Sequence, residues 1–176
     1  LHVTLQAVSP LASLRKPAVF DEMCRAFGRA SREWFRVLHF SVQANHVHLI
    51  VEGTDKRAVS RGLSGLSIRL ARAVNRVLGR RGRVWGDRYH ARAMRTPRDV
   101  RNGLVYVLTN WRKHQPRVGG WDPCSSARWF DGWKVHPPEF ERGDEDDVPV
   151  VRPRTWLAAR GWRRRGLIGV NERPKV

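Results

Sequence analysis

Residues 34–52 constrain the fold more than any other stretch of this chain. Trp34 to Val42 is rich in β-formers (Phe35, Val37, Leu38, Phe40, Val42), Gln43-Ala44-Asn45 turns the chain, and His46-Val47-His48-Leu49-Ile50-Val51-Glu52 returns. Two strands joined this tightly pair only as an antiparallel hairpin, because a parallel pair needs a long crossover. Successive side chains of a strand leave opposite faces. His46 and His48 therefore leave one face together, and Val47 and Leu49 the other. Two imidazoles side by side on a rigid strand supply two ligands for one divalent ion and leave positions open for substrate. The plain alternative is a histidine pair satisfied by solvent or by hydrogen bonds.

The flanking sequence predicts what the hairpin packs with. His2 to Val8 alternates polar residues with Val3, Leu5 and Ala7, as a half-buried strand does, and Ser9-Pro10 closes it. Lys16 to Ala30 reads as a helix on Val19, Met23, Ala26 and Phe27. Residues 57–78 form the longest helical pattern, with Leu63, Leu66, Leu70, Val74 and Val77 in one stripe. Arg88 to Arg95 reads as a fourth strand. Thr96 as N-cap, Pro97 at the first helical position and Asp99 two residues on predict another helix, with Val100, Leu104, Val107, Leu108 and Trp111 as its buried stripe. At 100° per residue, Tyr106 falls roughly 140–150° from the centre of that stripe. Asn110 and Lys113 lie on the same side, so by pattern Tyr106 is not a core aromatic. A solvated surface tyrosine with a solvated amide is the plain reading of that pair.

The order β-α-β-β-α-β-α predicts an α+β fold: a ferredoxin-like split β-α-β antiparallel sheet with helices on one face. The strand bearing His46 and His48 then lies beneath the final helix, which bears Tyr106 and Asn110. Residues 1–118 are expected to form this domain. Residues 119–176, rich in Trp, Pro and Gly, read as an extended arm with a short basic helix from Thr155, its expected cap, to Leu167. The acidic cluster from Glu139 to Asp147 reads as flexible.

Charge narrows the partners. The chain carries 34 Lys and Arg against 16 Asp and Glu, a net +18, and arginine dominates. Arginine forms bidentate forks with phosphate and stacks on bases, which favours nucleic acid, although a GC-rich genome also raises arginine content. Arg61, Arg69, Arg72, Arg76 and Arg80 recur at helical spacing, with no acidic residue between 56 and 86, and are expected to track phosphate; a solvated helix face is the alternative. Arg81, Arg83 and Arg88 extend this basic stretch, and Lys113 adds to it. Trp85, between Val84 and Gly86, reads either as a base-stacking platform or as a core plug. No apolar run approaches the roughly 18–20 residues that span a membrane. Cys24 and Cys124, far apart and outside any C-x-x-C pattern, read as reduced and structural, as in the cytosol. The chain starts at Leu1, inside a strand pattern, and reads as a fragment that has lost a leader.

Two motifs carry a family resemblance. Asn45-His46-Val47-His48-Leu49-Ile50-Val51 resembles the H-hydrophobe-H motif of the HUH single-tyrosine transposases, and most of all the REP-associated tyrosine transposases of the insertion-sequence-200 type, where a preceding Asn is common. Tyr106-Val107-Leu108-Thr109-Asn110 is similar to the family's second signature, a tyrosine followed four residues later by Asn or Gln. The family often continues Asn-Pro, where this chain has Asn110-Trp111. Val84 to Met94 is also similar, and the likeness spans about residues 2–133.

The resemblance implies a transposase that nicks and rejoins single-stranded DNA. His46, His48 and Asn110 would hold a divalent metal, Mg²⁺ or Mn²⁺, and Tyr106 would attack the scissile phosphate to give a 5′-phosphotyrosine. A DNA hairpin or short guide would be read through the arginines of 61–83 and the tail. The resemblance also implies a bacterial, cytoplasmic, nucleoid-associated protein, monomeric or homodimeric, without a membrane partner. Tyr89 is the rival nucleophile, and it lacks an amide four residues on. His39 and His90 are either accessory polar groups or ordinary core and surface residues. The competing functions are a domesticated, non-catalytic hairpin-DNA-binding protein, a replication initiator or relaxase, and a metal-dependent RNA nuclease.

Overall fold

A computed structural model of the chain describes residues 1–113, 120–135 and 148–174. In chain order these form β1 (His2–Gln6), α1 (Pro17–Gly28), β2 (Phe35–Val42), β3 (His46–Gly53), α2 (Lys56–Val77), β4 (His90–Arg92), α3 (Pro97–Thr109) and, in the last segment, the short α4 (Trp156–Ala159). The four strands make one sheet in the order β2-β3-β1-β4, and every neighbouring pair is antiparallel. Each helical crossover skips one place in the sheet, and the skipped place is filled by a strand from the other half. This is the split β-α-β layout that the order of elements predicts.

Two cores lie on the two faces of the sheet. On one face, Val3 and Leu5 of β1 and Val47, Leu49 and Val51 of β3 meet Val19, Met23 and Phe27 of α1 and Leu63, Leu66, Leu70 and Val74 of α2. Phe27 stacks on Phe40 at 4.2 Å between centroids. The α2 backbone comes so close to β2 that a Cβ at Gly62 would lie 2.1 Å from the Phe35 ring, which explains glycine in the middle of a helix. The helices-on-one-face expectation holds for these two crossover helices. The tyrosine helix α3 lies instead on the opposite face, where Leu38 and Ile50 meet Val100, Leu104, Val107 and Leu108. It follows the last strand, so no crossover ties it to the first face.

A β-bulge makes the two cores compatible with one strand. The register of β2 against β3 shifts between Val37 and His39. Phe35 and Val37 before the shift, and Phe40 and Val42 after it, all face the first core, while Leu38 drops into the second. A strand of strict period two could not do this; the extra residue resets the phase.

The described residues beyond 120 supply the outer wall of the second core. Trp121, Phe130, Trp133, Trp162 and Ile168 pack into this core with α3. Val105, more than roughly 100° round the helix from the centre of the expected stripe, is buried in the same core. Polar anchors hold it in place. Arg15 donates to Asp122 at 2.7 and 3.1 Å and to the Val42 carbonyl at 2.8 Å. Arg101 grips Glu172 at 2.6 and 2.9 Å, which holds that carboxyl below its ordinary range. The wall also covers the outer edge of β2, where the Phe40 and Val42 amides donate to Ser126 Oγ and the Cys124 carbonyl. The helix expected from Thr155 is only α4 followed by a 3-10 turn, Gly161–Arg165. Thr155 does not cap it; its hydroxyl and amide donate to Glu52 on β3, because that carboxylate reaches the start of the segment first. The acidic cluster 139–147 lies outside the described residues.

The same wall encloses His39, whose ring stands edge-on to Phe130 at 5.2 Å and lies 3.2 Å from Ser126 Oγ. Burial pushes its pKa from 6.5 down to about 4, against the opposing pull of Asp131. The folded state thus prefers neutral His39, so its contribution is full above about pH 6.5 and is lost as pH falls toward 4. Melting temperature should fall across that window, and His39→Gln should flatten the fall. Parallel curves for the two proteins would remove His39 as a cause.

Candidate active site

The alternation of β3 sends Val47 and Leu49 into the first core and His46 and His48 toward α3. β1 lies beside β3 with Thr4 opposite His48, Gln6 opposite His46 and His2 opposite Ile50. Residues directly opposite share a face, so His2 and Thr4 join the histidine pair. The ring of Tyr106 closes over them. It stands 5.0 Å from His48 and 5.3 Å from His2, edge-on to both. The geometry of α3 places it there: the Thr96–Asp99 capping box starts the helix, and Val100, Leu104, Val107 and Leu108 turn the other side inward.

Hydrogen bonds orient the two imidazoles. His46 Nδ1 lies 2.9 Å from Asn45 Oδ1, an acceptor, which favours the proton on Nδ1. His48 Nδ1 lies 3.1 Å from Thr4 Oγ1 and 3.4 Å from His2 Nε2. The Nε2 atoms of His46 and His48 lie 3.0 Å apart, within hydrogen-bond distance of each other. One proton shared between them makes that hydrogen bond, and a cation bound by both nitrogens would take its place. His2 adds no positive charge: burial, then nearby cations including Arg92, push its pKa down to about 4.

One turn beyond Tyr106, α3 tightens into a 3-10 turn, Asn110–Lys113, and Trp111 is buried where the family resemblance has Pro. Asn110 is 3% exposed, and its Oδ1 has no hydrogen-bond partner among the described residues. A buried amide oxygen without a donor costs about 1–3 kcal/mol unless something satisfies it. Among the described residues no group of three His, Cys, Asp or Glu side chains suits a metal ion. The residues singled out for a metal bring other donor types, two imidazole nitrogens and an amide oxygen, which suit a divalent cation that accepts nitrogen as well as oxygen.

The other residues singled out in the sequence fall elsewhere. Arg61, Arg69, Arg72 and Arg76 are exposed on α2, whose apolar stripe faces the far side of the sheet. Arg61 covers the Trp34 ring at 5.1 Å, and Arg76 pairs with Glu22 of α1 at 2.7 Å. Arg80 and Arg83 brace their own loop by donating to the carbonyls of Arg83 and Trp85, while Arg81 and Arg88 are exposed. Trp85 packs against the first core and donates its indole N–H to the Ser67 carbonyl at 2.9 Å, as a plug does. The Lys113 side chain lies outside the described residues. Tyr89 packs against the first core, across the sheet from Tyr106. His90, opposite Thr4, and Arg92, opposite His2, are exposed on the site's own face of the sheet. The sequence reading passed over His2, Thr4 and Arg92 as site residues. Their alternation with Val3, Leu5 and Ala91 is visible in the chain, but their neighbours are set by strand pairing.

Among the described residues no helix is long and apolar enough to cross a membrane. No protein-family model and no curated protein matches the sequence. The fold is similar to a solved structure of a REP-associated tyrosine transposase bound to a REP hairpin, with a TM-score of 0.59 and 18% identity, over 88% of this chain and 92% of that one. At that identity the likeness is one of fold.

Proposed function

We propose that this protein is a single-tyrosine DNA-nicking and strand-joining enzyme of the HUH type, acting on single-stranded DNA that carries a hairpin. The observation that carries the proposal is the packing of Tyr106 on His48, whose Nε2 lies 3.0 Å from that of His46, with the buried Asn110 amide oxygen, unpartnered among the described residues, one helical turn on. The fold likeness to a REP-associated tyrosine transposase bound to a REP hairpin supports the same reading.

Tyr106 Oη attacks phosphorus as the P–O3′ bond breaks, which leaves a 5′-phosphotyrosine and a free 3′-OH. The phenol proton passes to solvent, and the 3′ oxygen takes one up. The phosphodiester is exchanged rather than hydrolysed, so a second 3′ end can reverse the step without a high-energy cofactor. His46 Nε2, His48 Nε2 and Asn110 Oδ1 would hold a divalent cation, Mg²⁺ or Mn²⁺, and when bound it would draw charge from the non-bridging phosphate oxygens. Thr4 and Asn45 hold the two Nδ1 atoms, so the Nε2 edges of both rings stay turned toward each other. His2 and His48 hold the Tyr106 ring edge-on and limit its rotation.

The test is covalent trapping. The protein is mixed with Mn²⁺ and 5′- or 3′-labelled single strands bearing hairpins from the native flanking DNA, then run on a denaturing gel. The expected result is a band at protein size carrying only the label on the 3′ side of the cut. Metal-dependent cutting without an adduct would indicate a nuclease. Tight, salt-sensitive hairpin binding without cutting would indicate a non-catalytic binder.

A further inference from the structure

The site has a cationic approach on one side, and it is not the arginine helix. The sheet face that carries the histidines continues across β1 to β4, where Arg92 stands opposite His2 and His90 opposite Thr4. Adjacent strands lie about 4.8 Å apart, so Arg92 is one strand from His2, whose ring touches Tyr106. All three β4 residues are exposed, and β4 is the last strand of the sheet. Arg92 makes no ion pair among the described residues; Asp99, a carboxylate its charge reaches, is taken up by the α3 capping box. Of the two arginines on α3, Arg98 is exposed in the first turn, far along the helix from Tyr106, and Arg101 is spent on Glu172 and two carbonyls of the C-terminal segment. Arg92 is exposed and outside any ion pair among the described residues, so its guanidinium is open to an anion laid across the edge of the sheet. The α2 arginines cannot serve this place, because the sheet and the first core stand between them and Tyr106.

Resting on the reading of Tyr106 as a nucleophile toward single-stranded DNA, we infer that the strand reaches it across β4, with Arg92 gripping a phosphate next to the scissile one and His90 lining the path. Arg92 then acts as a positioning residue: it sets which phosphate meets Tyr106 and takes no part in bond making.

The test uses the full chain, a fluorescent 12-residue oligothymidylate without a hairpin, and anisotropy titrations at several salt concentrations without metal. Arg92→Ala is compared with Arg92→Lys and with Arg57→Ala, an exposed arginine at the start of α2 that removes the same charge from the far layer. Arg92→Ala should weaken binding about 5- to 10-fold at low salt and reduce the salt slope by about 0.7, the value for one phosphate contact on a single strand. Arg92→Lys should restore the slope, and Arg57→Ala should leave it unchanged. Equal losses for Arg92→Ala and Arg57→Ala, or no loss for Arg92→Ala, would overturn the β4 path while leaving the nucleophile reading intact. Absence of oligonucleotide binding by the unmodified protein would overturn both, and binding without a covalent adduct would overturn only the nucleophile.

Discussion

Tyr106→Phe is expected to abolish the covalent protein–DNA band while leaving the protein folded and bound to its DNA. Phenylalanine keeps the ring that packs edge-on to His48 and His2, so the change removes one oxygen and little else. Loss of a nucleophile costs on the order of 10⁴- to 10⁶-fold, with only residual turnover from the remaining groups. Tyr89→Phe is the control. Tyr89 lies against the first core on the far side of the sheet, so its adduct yield should match the unmodified protein within about twofold. An adduct that survives in Tyr106→Phe would sink the assignment, whatever Tyr89→Phe does.

His48→Ala should remove the protein's response to Mn²⁺. A cation at 100 times its dissociation constant stabilises the fold by about 2.7 kcal/mol, which a melting curve reads directly and without DNA. Loss of a direct ligand should weaken binding by more than about 100-fold, since outer partners alone are worth roughly 10- to 100-fold. The stabilisation would then vanish at the same Mn²⁺ concentration. His48 is 4% exposed, so Ala also lowers the metal-free melting point; the diagnostic quantity is the shift on adding Mn²⁺ to each protein. Asn110→Ala offers an independent arm. It deletes the whole buried carboxamide, so here too the diagnostic quantity is the shift on adding Mn²⁺, which should shrink. A full shift in both variants would leave the imidazole pair as hydrogen-bonded histidines and nothing more.

The chemistry-bearing residues were legible because their signals are local. The His46–His48 alternation follows from the pleat, the capping box at Thr96 from three side chains, and the polar side of α3 from its 3.6-residue repeat. The arginine stripe on α2 was equally visible, yet periodicity tells only that those residues share a helix face. Which side of the sheet the face looks toward depends on where the crossover places α2, and that side is away from Tyr106. Trp85 shows the same limit: its neighbours allow a platform or a plug, and only contact with Ser67 decides between them.

By itself, the sequence determined the hairpin, the order of elements, the face on which His46 and His48 stand, and the helix that carries Tyr106 and Asn110. Each rests on interactions between residues close in the chain, which a pattern of a few residues encodes. The tertiary structure alone decided that His2, Thr4 and Arg92 border the site, that the bulge at Leu38 lets one strand feed two cores, and that the residues beyond 120 wall in α3. These depend on contacts between residues tens of positions apart. Their pairing is selected by the burial of the whole apolar surface, not by any local preference.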